Sequence, residues 1–184
     1  VLTFPIRTDR FDLVPLDERH REAFVAYRRD PLIARWQSWT PDFSAADADA
    51  LLGAQPRVLE PGSGDWLQVA VCERSSGRLV GDLGVHALAE NPDTYELGVT
   101  VARGAQGGGV ATEALRAMTG ALFADQAAHR LTAITDVRNR AAATVFSRLG
   151  FRHEGRAIDA DFFTGEWSSV DSWALLRREH ERRR

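Results

Sequence analysis

The stretch that most constrains this chain is "YELGVTVARGAQGGGVATEALRAM", Tyr95 to Met118. An alternating segment runs into four glycines within six residues, Gly104 to Gly109, and then straight into an alanine-rich apolar run. Glycine weakens a helix interior by about 1 kcal/mol relative to alanine. A cluster of glycines just before a helix therefore points to backbone conformations that other residues avoid. Such a cluster lets several N–H groups turn inward together at a helix start. The helix dipole then strengthens their hold on an anion.

Two familiar phosphate-binding patterns do not fit. Gly104 to Gly109 has the spacing of a P-loop, but Val110 and Ala111 stand where lysine and a hydroxyl residue are required. Gly107 and Gly109 start a dinucleotide fingerprint, but it leads to Thr112 rather than glycine, and the preceding strands read as antiparallel. Two readings stay open: a nest of amides that holds a pyrophosphate without metal, or a loop whose glycines serve packing alone.

A length of 184 residues suits one domain, residues 1–184. Net charge is −3, from 23 basic against 26 acidic residues. That balance argues against a general nucleic-acid binder, so no direct nucleic-acid partner is expected. A single cysteine, Cys72, excludes an intrachain disulfide and a cysteine-rich metal site. No histidine pair has zinc-ligand spacing, so no metal is expected. There is no apolar run of about 18 residues and no basic-then-apolar leader, so the expectation is a cytoplasmic protein with no membrane partner.

Along the chain, "RFDLVPL" alternates as a first strand. Asp17 can cap a helix over "ERHREAFVAYRRD", Pro31 can open a short helical piece through Trp36, and Ser44 with Asp47 can cap a helix over "PDFSAADADALLGAQ". "WLQVAVCE", "RLVGDLGVHAL" and "TYELGVTVA" form an antiparallel meander with turns at Ser76-Gly77 and Asn91-Pro92-Asp93. Ala111, Leu115, Met118 and Leu122 then recur at helical spacing. A strand, "RLTAITDV", leads to a helix from Asn139 to Gly150, and two closing strands surround the turn at Thr164-Gly165. The basic end, "RREHERRR", reads as a solvated helix end or tail. This order implies a mixed α/β fold, with one parallel junction near Val99 and Ile134 where the sheet can splay.

"VARGAQGGGVATEAL" resembles the acyl-CoA-binding loop of the GNAT family of N-acetyltransferases, with Gln106, Gly109 and Ala111 on the family pattern. The lead-in "YELGVTVA" resembles the fourth strand of the ribosomal-protein acetyltransferase-like branch, "NRAAATVFSRLGFRHEG" its later segment and "GEWSSVDSWALLRRE" its closing strand. The resemblance runs from about Arg10 to Glu179. It implies a GNAT fold: a central, mostly antiparallel sheet, splayed at the fourth and fifth strands and flanked by helices. It implies acetyl-CoA as acyl donor, a small-molecule or peptide amine as acceptor, and a monomer or homodimer. It also implies that Val99, Thr100 and Val101 pair with the pantetheine arm. Gln106, Gly107, Gly108, Gly109, Val110, Ala111 and Thr112 would hold the pyrophosphate, and Asn139 and Phe146 would stand further along the cofactor.

An amine must be neutral to attack a thioester, which needs a group to take its proton. Glu96 is the candidate base: it lies on the strand expected to border the splay and shares a face with Gly98 and Thr100. The alternative is a strand carboxylate that faces solvent. The acid position of the wider family holds Phe146, and the position three after the asparagine holds Ala142. Neither can donate a proton to a thiolate, which leaves water for that step or a thiolate that departs unprotonated. A domain that binds CoA with weak or no transfer activity is the alternative function. "ARWQSWTPDF" is expected to wall the acceptor site, Asp82 to face it, and His86 to stand near it. Asp161 and Glu166 could help to attract an ammonium group. His20 and His180, in charged segments, are expected at the surface.

Overall fold

The structure is a computed structural model that describes residues 1–183. Eight strands make one sheet: β1 (Ile6–Arg7), β2 (Phe11–Pro15), β3 (Trp66–Glu73), β4 (Leu79–Ala87), β5 (Thr94–Val101), β6 (Arg130–Asp136), β7 (Arg152–Phe163) and β8 (Glu166–Leu176). Their order across the sheet is β1-β2-β3-β4-β5-β6-β8-β7. Every neighbouring pair is antiparallel except β5 with β6. The helices are α1 (Arg21–Arg28), α2 (Pro31–Ala34), α3 (Ala45–Ala54), α4 (Val110–Asp125), α5 (Arg140–Leu149) and α6 (Arg177–Glu181). The short strand β1 has too little alternation to be read from sequence. It moves the two splayed strands from fourth and fifth to fifth and sixth in the chain.

The helix ends follow the expected chemistry. Asp17 accepts from the Arg19 amide at 3.0 Å, and Ser44 and Asp47 form a reciprocal capping box. Asn139 Oδ1 accepts from the Ala142 amide at 3.1 Å, so it caps α5, and the helix stops at Gly150. The N-terminal helix is split: a 3-10 turn over Glu18–His20 precedes α1.

α4 and α5 cover one face of the sheet. Ala114, Leu115, Met118 and Leu122 of α4 are fully buried against strand residues such as Leu83, Val85, Tyr95 and Leu97. Each large side chain buried this way contributes about 1.5–3 kcal/mol. Ala111, expected in the same stripe, is only half-buried, because the first turn of α4 faces a cleft. α1, α2 and α3 pack on the other face, where Phe24, Tyr27, Ile33 and Ala48 meet Ala70 and Cys72.

A charged cluster lies between those layers. The Tyr27 hydroxyl donates to Asp82, and the Arg28 guanidinium reaches Asp82 Oδ2 at 3.3 Å. Both charged side chains are almost fully buried. Arg28 also stacks 3.7 Å from the Trp39 ring centroid and 4.0 Å from that of Phe24. Burial pushes the Asp82 carboxyl up, opposed by Arg28 and Tyr27, and burial pushes the Tyr27 phenol well up. Asp82→Ala leaves the Arg28 charge without its partner and is expected to lower stability by about 3–5 kcal/mol. Asp82→Asn keeps acceptors for Tyr27 and should cost less. Urea unfolding of the two variants beside the parent checks the ranking.

Candidate active site

The site starts where the parallel ladder stops. β5 and β6 pair only over Thr94–Glu96 with Arg130–Thr132, whereas β5 stays paired to β4 as far as Val101. Val99 and Ile134 therefore stand past the ladder, on either side of an opening. The Ala102 amide donates to the Val80 carbonyl on β4 at 2.8 Å. By strand alternation, Val99 and Val101 then direct their N–H and C=O groups towards the opening. Gln106 Nε2 donates to the Val101 carbonyl at 3.0 Å and ties the loop to this strand end.

The loop leaves its amides free. Ala105 N–H donates to Ala102 O at 2.8 Å and Gln106 N–H to Arg103 O at 3.3 Å. The next bond along the chain is from Glu113 N–H to Gly109 O at 3.0 Å. The amides from Gly107 to Thr112 find no acceptor among the described residues. Gly109 is left-handed, with φ of 78°, a conformation strained for residues with a side chain. Arg10 clamps the loop from β2's side: Nη1 donates to the Gly108 carbonyl at 2.9 Å, and Nε to Glu113 Oε2 at 2.7 Å. Partial burial pushes the Glu113 carboxyl up, but bonds from Thr8 and Arg10 outweigh it and hold the group below its ordinary range.

Two clefts meet at the opening. The first, of about 510 Å³, is lined by Val99, Thr100, Val101, Gln106, Gly107, Gly109, Val110, Ala111, Thr112 and Asn139. Ile33 and Trp36, beside Leu32 of α2, form its opposite wall, and Arg148 of α5 closes one side. The second, of about 550 Å³, has Gln68, Asp82, Gly84 and Gly98 on its floor, with Arg28, Trp39 and Trp66 around it. Gln37, Val99 and Thr100 belong to both clefts. A molecule in one would meet a molecule in the other at the Val99 backbone. The turn of the β7–β8 hairpin reaches this wall from outside: Arg138 bonds Glu166 at 2.9 Å and lies 5.3 Å from the Trp36 ring.

Glu96 stands opposite His86 on β4 and Thr132 on β6, half-buried. It is one step along its face from Gly98 and is not itself among the residues that line the clefts. Burial pushes its carboxyl up, and the His86 imidazole partly offsets that. Asp82 does face the second cleft, but as a buried partner of Arg28 and Tyr27 rather than as a free carboxylate.

Several positions differ from the expectation. Phe146 does not border the first cleft: it is 2% exposed and packs edge-on against Phe151 in the core. Gly108 is outside the cleft lining, its carbonyl committed to Arg10. His20 is largely covered, accepting from the Asp17 amide and lying 3.5 Å from Cys72 Sγ. His180 packs against Phe123 instead of standing free at the surface. Glu166 is engaged by Arg138. Leu32, Ile33, Arg148 and Arg28 border clefts without being expected there. For Arg28 a signal existed: with Phe24 and Tyr27 it completes an inward helical stripe, although a second arginine and an aspartate follow it.

Among the described residues no group of three His, Cys, Asp or Glu side chains is placed to hold a metal ion. No described helix is long and apolar enough to cross a membrane.

The model of the acetyltransferase (GNAT) domain family matches residues 10–152, and the chain belongs to that family. A Bacillus subtilis (strain 168) protein named as a candidate ribosomal N-acetyltransferase, YdaF, is 30% identical over 105 residues. The match covers 57% of this chain, which spans little more than half (57%) of that relative's length. Among solved structures, a spermidine N-acetyltransferase of Vibrio cholerae in complex with CoA and spermine superposes with a TM-score of 0.82 at 16% identity, covering 95% of this chain and 99% of the other. RimL, a ribosomal L7/L12 alpha-N-protein acetyltransferase in complex with CoA, gives 0.80 at 19% identity, covering 92% and 95%. A GNAT acetyltransferase of Bacillus anthracis gives 0.79 at 21%, covering 94% and 98%. At these identities the likeness is one of fold.

Arg10→Ala removes the guanidinium's hold on Gly108 and Glu113. The hydrogen-bonded amides that flank the loop, those of Ala105, Gln106 and Glu113, should then exchange with deuterium about fivefold faster, the effect of losing roughly 1 kcal/mol of local stability. Residue-resolved exchange at these three amides reads this directly.

Proposed function

We propose that the protein is an N-acetyltransferase that moves an acetyl group from acetyl-CoA to a primary amine. The observation that carries this reading is the run of uncommitted amides from Gly107 to Thr112, beside a sheet opening, with a second cleft that meets the first at Val99. Those amides, at the start of the 16-residue helix α4, fit a diphosphate held without metal. The N–H and C=O of Val99 and the N–H of Val101 fit the amides of a pantetheine arm, and Asn139 borders the same cleft.

Bound acetyl-CoA supplies a thioester: the amine nitrogen bonds to the acyl carbon, the carbon–sulfur bond breaks, and the sulfur departs with the electron pair. The residues around it have three tasks. The N–H of Val99 faces the opening and serves as the donor to the carbonyl oxygen as it develops charge. Glu96 takes the proton from the incoming amine through water, along the face it shares with Gly98 in the second cleft. Burial raises the Glu96 carboxyl and so brings its proton affinity nearer that of an amine at working pH. No tyrosine serves as acid: Tyr95 is fully buried on the core face, and Tyr27 is bonded to Asp82. Water then gives a proton to the thiolate, and the proton held on Glu96 passes through water to the hydroxide left behind, which returns Glu96 to its ionised form.

The acceptor is a primary amine on a protein N-terminus or a small molecule. An N-terminal α-amine, with an ordinary pKa near 8, is neutral at roughly a tenth of the population at pH 7. It therefore needs less help than a lysine-like amine near 10.4. The relatives' names cover both kinds of acceptor, ribosomal protein and spermidine.

Calorimetry should show CoA binding to the parent and a loss of more than about tenfold in Gly109→Trp, where a side chain meets a left-handed backbone beside the amides. Parent-like affinity in that variant would remove the loop from the binding site. Transfer to spermidine and to peptides with a free Ala or Ser N-terminus tests the chemistry. Glu96→Gln is expected to lower kcat about 100-fold or more while CoA affinity stays within about twofold. Because Glu96 must be ionised to accept a proton, kcat/KM should fall as pH drops through its raised pKa. That acid limb should vanish in Glu96→Gln. CoA binding with no product from any amine would favour a binding domain over an enzyme.

A further inference from the structure

We infer that His86 is a positioning residue for Glu96, clamped in place by Trp66, and that it sets the charge state of that carboxylate at the edge of the amine cleft. The inference rests on the proposed role of Glu96 for its catalytic meaning. Its physical content, a coupling between two side chains, stands apart from that role.

Trp66, His86 and Glu96 form one row across β3, β4 and β5, each the register partner of the next. Residues paired directly opposite in antiparallel strands share a face, with Cβ atoms about 4.5–5.5 Å apart. His86 and Glu96 are therefore immediate neighbours. The imidazole is held on its other side. The Trp66 ring stacks on it with centroids 4.5 Å apart and planes 11° from parallel. The indole can lie there because residue 84 is glycine: a Cβ at Gly84 would stand 3.0 Å from Trp66 Cζ3. One face of Trp66 is thus spent on His86, while the residue remains 46% exposed and lines the second cleft.

His86 has few competing partners. Its Nδ1 is buried and makes no hydrogen bond among the described residues. Asp65 approaches from the start of β3, where its carbonyl accepts from the Ala87 amide at 3.0 Å. Arg28 and Asp82, deeper in the same cleft, are committed to each other and to Tyr27. Thr132 contributes only a hydroxyl from β6, bonded to the Tyr95 carbonyl. Glu60 and Asp93 act on Tyr95, which points to the opposite face. The carboxylate paired with the imidazole across the strands is that of Glu96. A positive charge placed at the imidazole position favours the ionised form of the Glu96 carboxyl opposite it.

The test needs no acceptor. Protein labelled with 13C at glutamate carboxyls is titrated by NMR, and the resonance missing from Glu96→Gln identifies Glu96. In His86→Gln, which keeps a polar side chain but cannot carry charge, the Glu96 midpoint should rise by about half to one pH unit. Trp66→Ala should broaden or shift the same titration, and Trp66→Phe, which restores an aromatic plate, should return it towards the parent. CoA affinity in all three should stay within about twofold, which also reports an intact fold. An unmoved Glu96 midpoint in His86→Gln would overturn the inference. The base assignment fails separately, through transfer activity that survives in Glu96→Gln, so the two failures cannot be confused.

Discussion

The early end of the β5–β6 ladder is the constraint on which the site depends. Three residue pairs hold these parallel strands together, and then they part while β5 keeps its partner on β4. Strands that part leave unpaired N–H and C=O groups, which are costly unless water or a ligand takes them. Here they face an opening that continues into the loop before α4, where the amides of residues 107–112 are likewise uncommitted. The protein therefore holds in reserve an extended run of backbone hydrogen-bonding capacity, in one place and at one height in the sheet. A long, flexible molecule with amides at one end and a diphosphate at the other uses such a run from end to end.

Much of this is legible from the chain because backbone chemistry leaves local marks. Asp17, Ser44 and Asn139 announce helix starts, and each accepts the amide its position requires. The glycines of the loop mark the left-handed turns at Gly107 and Gly109. Side-chain partnerships across the fold leave no such mark. Nothing near Arg28 in the sequence says that Asp82, on a strand 54 residues later, will neutralise it. Phe146 shows the same limit from the other direction. Its place in a resembling motif points to the cofactor, but a phenyl ring at that helix position has an apolar partner available in Phe151 and turns to it. His20 and His180 differ from expectation for a related reason: charged sequence neighbours say little about a residue that tertiary packing covers.

Arginine carries the interactions that frame the site, and its guanidinium suits them for a physical reason. Arg28 lies between aromatic rings and a carboxylate in a place where a compact ammonium would lose most of its hydration. Arg10 divides its donors between the Gly108 carbonyl and Glu113, and so fixes a loop and the helix after it at once. Arg138 joins Asp136 to Glu166 and lies over Trp36, which brings the hairpin turn against the wall shared by the two clefts. Each of these planar contacts holds backbone or ring geometry near the opening without entering it.

This arrangement separates the two demands on an acyl-transfer site. In the proposed reading, holding the donor falls to main-chain atoms, whose positions are set by the sheet and by α4. Handling the proton of the acceptor falls to the Trp66–His86–Glu96 row, beside a second cleft whose floor rests on the Arg28–Asp82–Tyr27 cluster. The buried cluster is too well satisfied to exchange protons with a substrate, and burial raises the Tyr27 phenol still further from reach. It stiffens the floor instead. The half-buried row remains adjustable, because its carboxylate is raised by burial and lowered by one imidazole. A site that must accept a proton near neutral pH gains more from such a balanced pair than from a carboxylate locked in a strong ion pair, which would hold its negative charge and decline the proton.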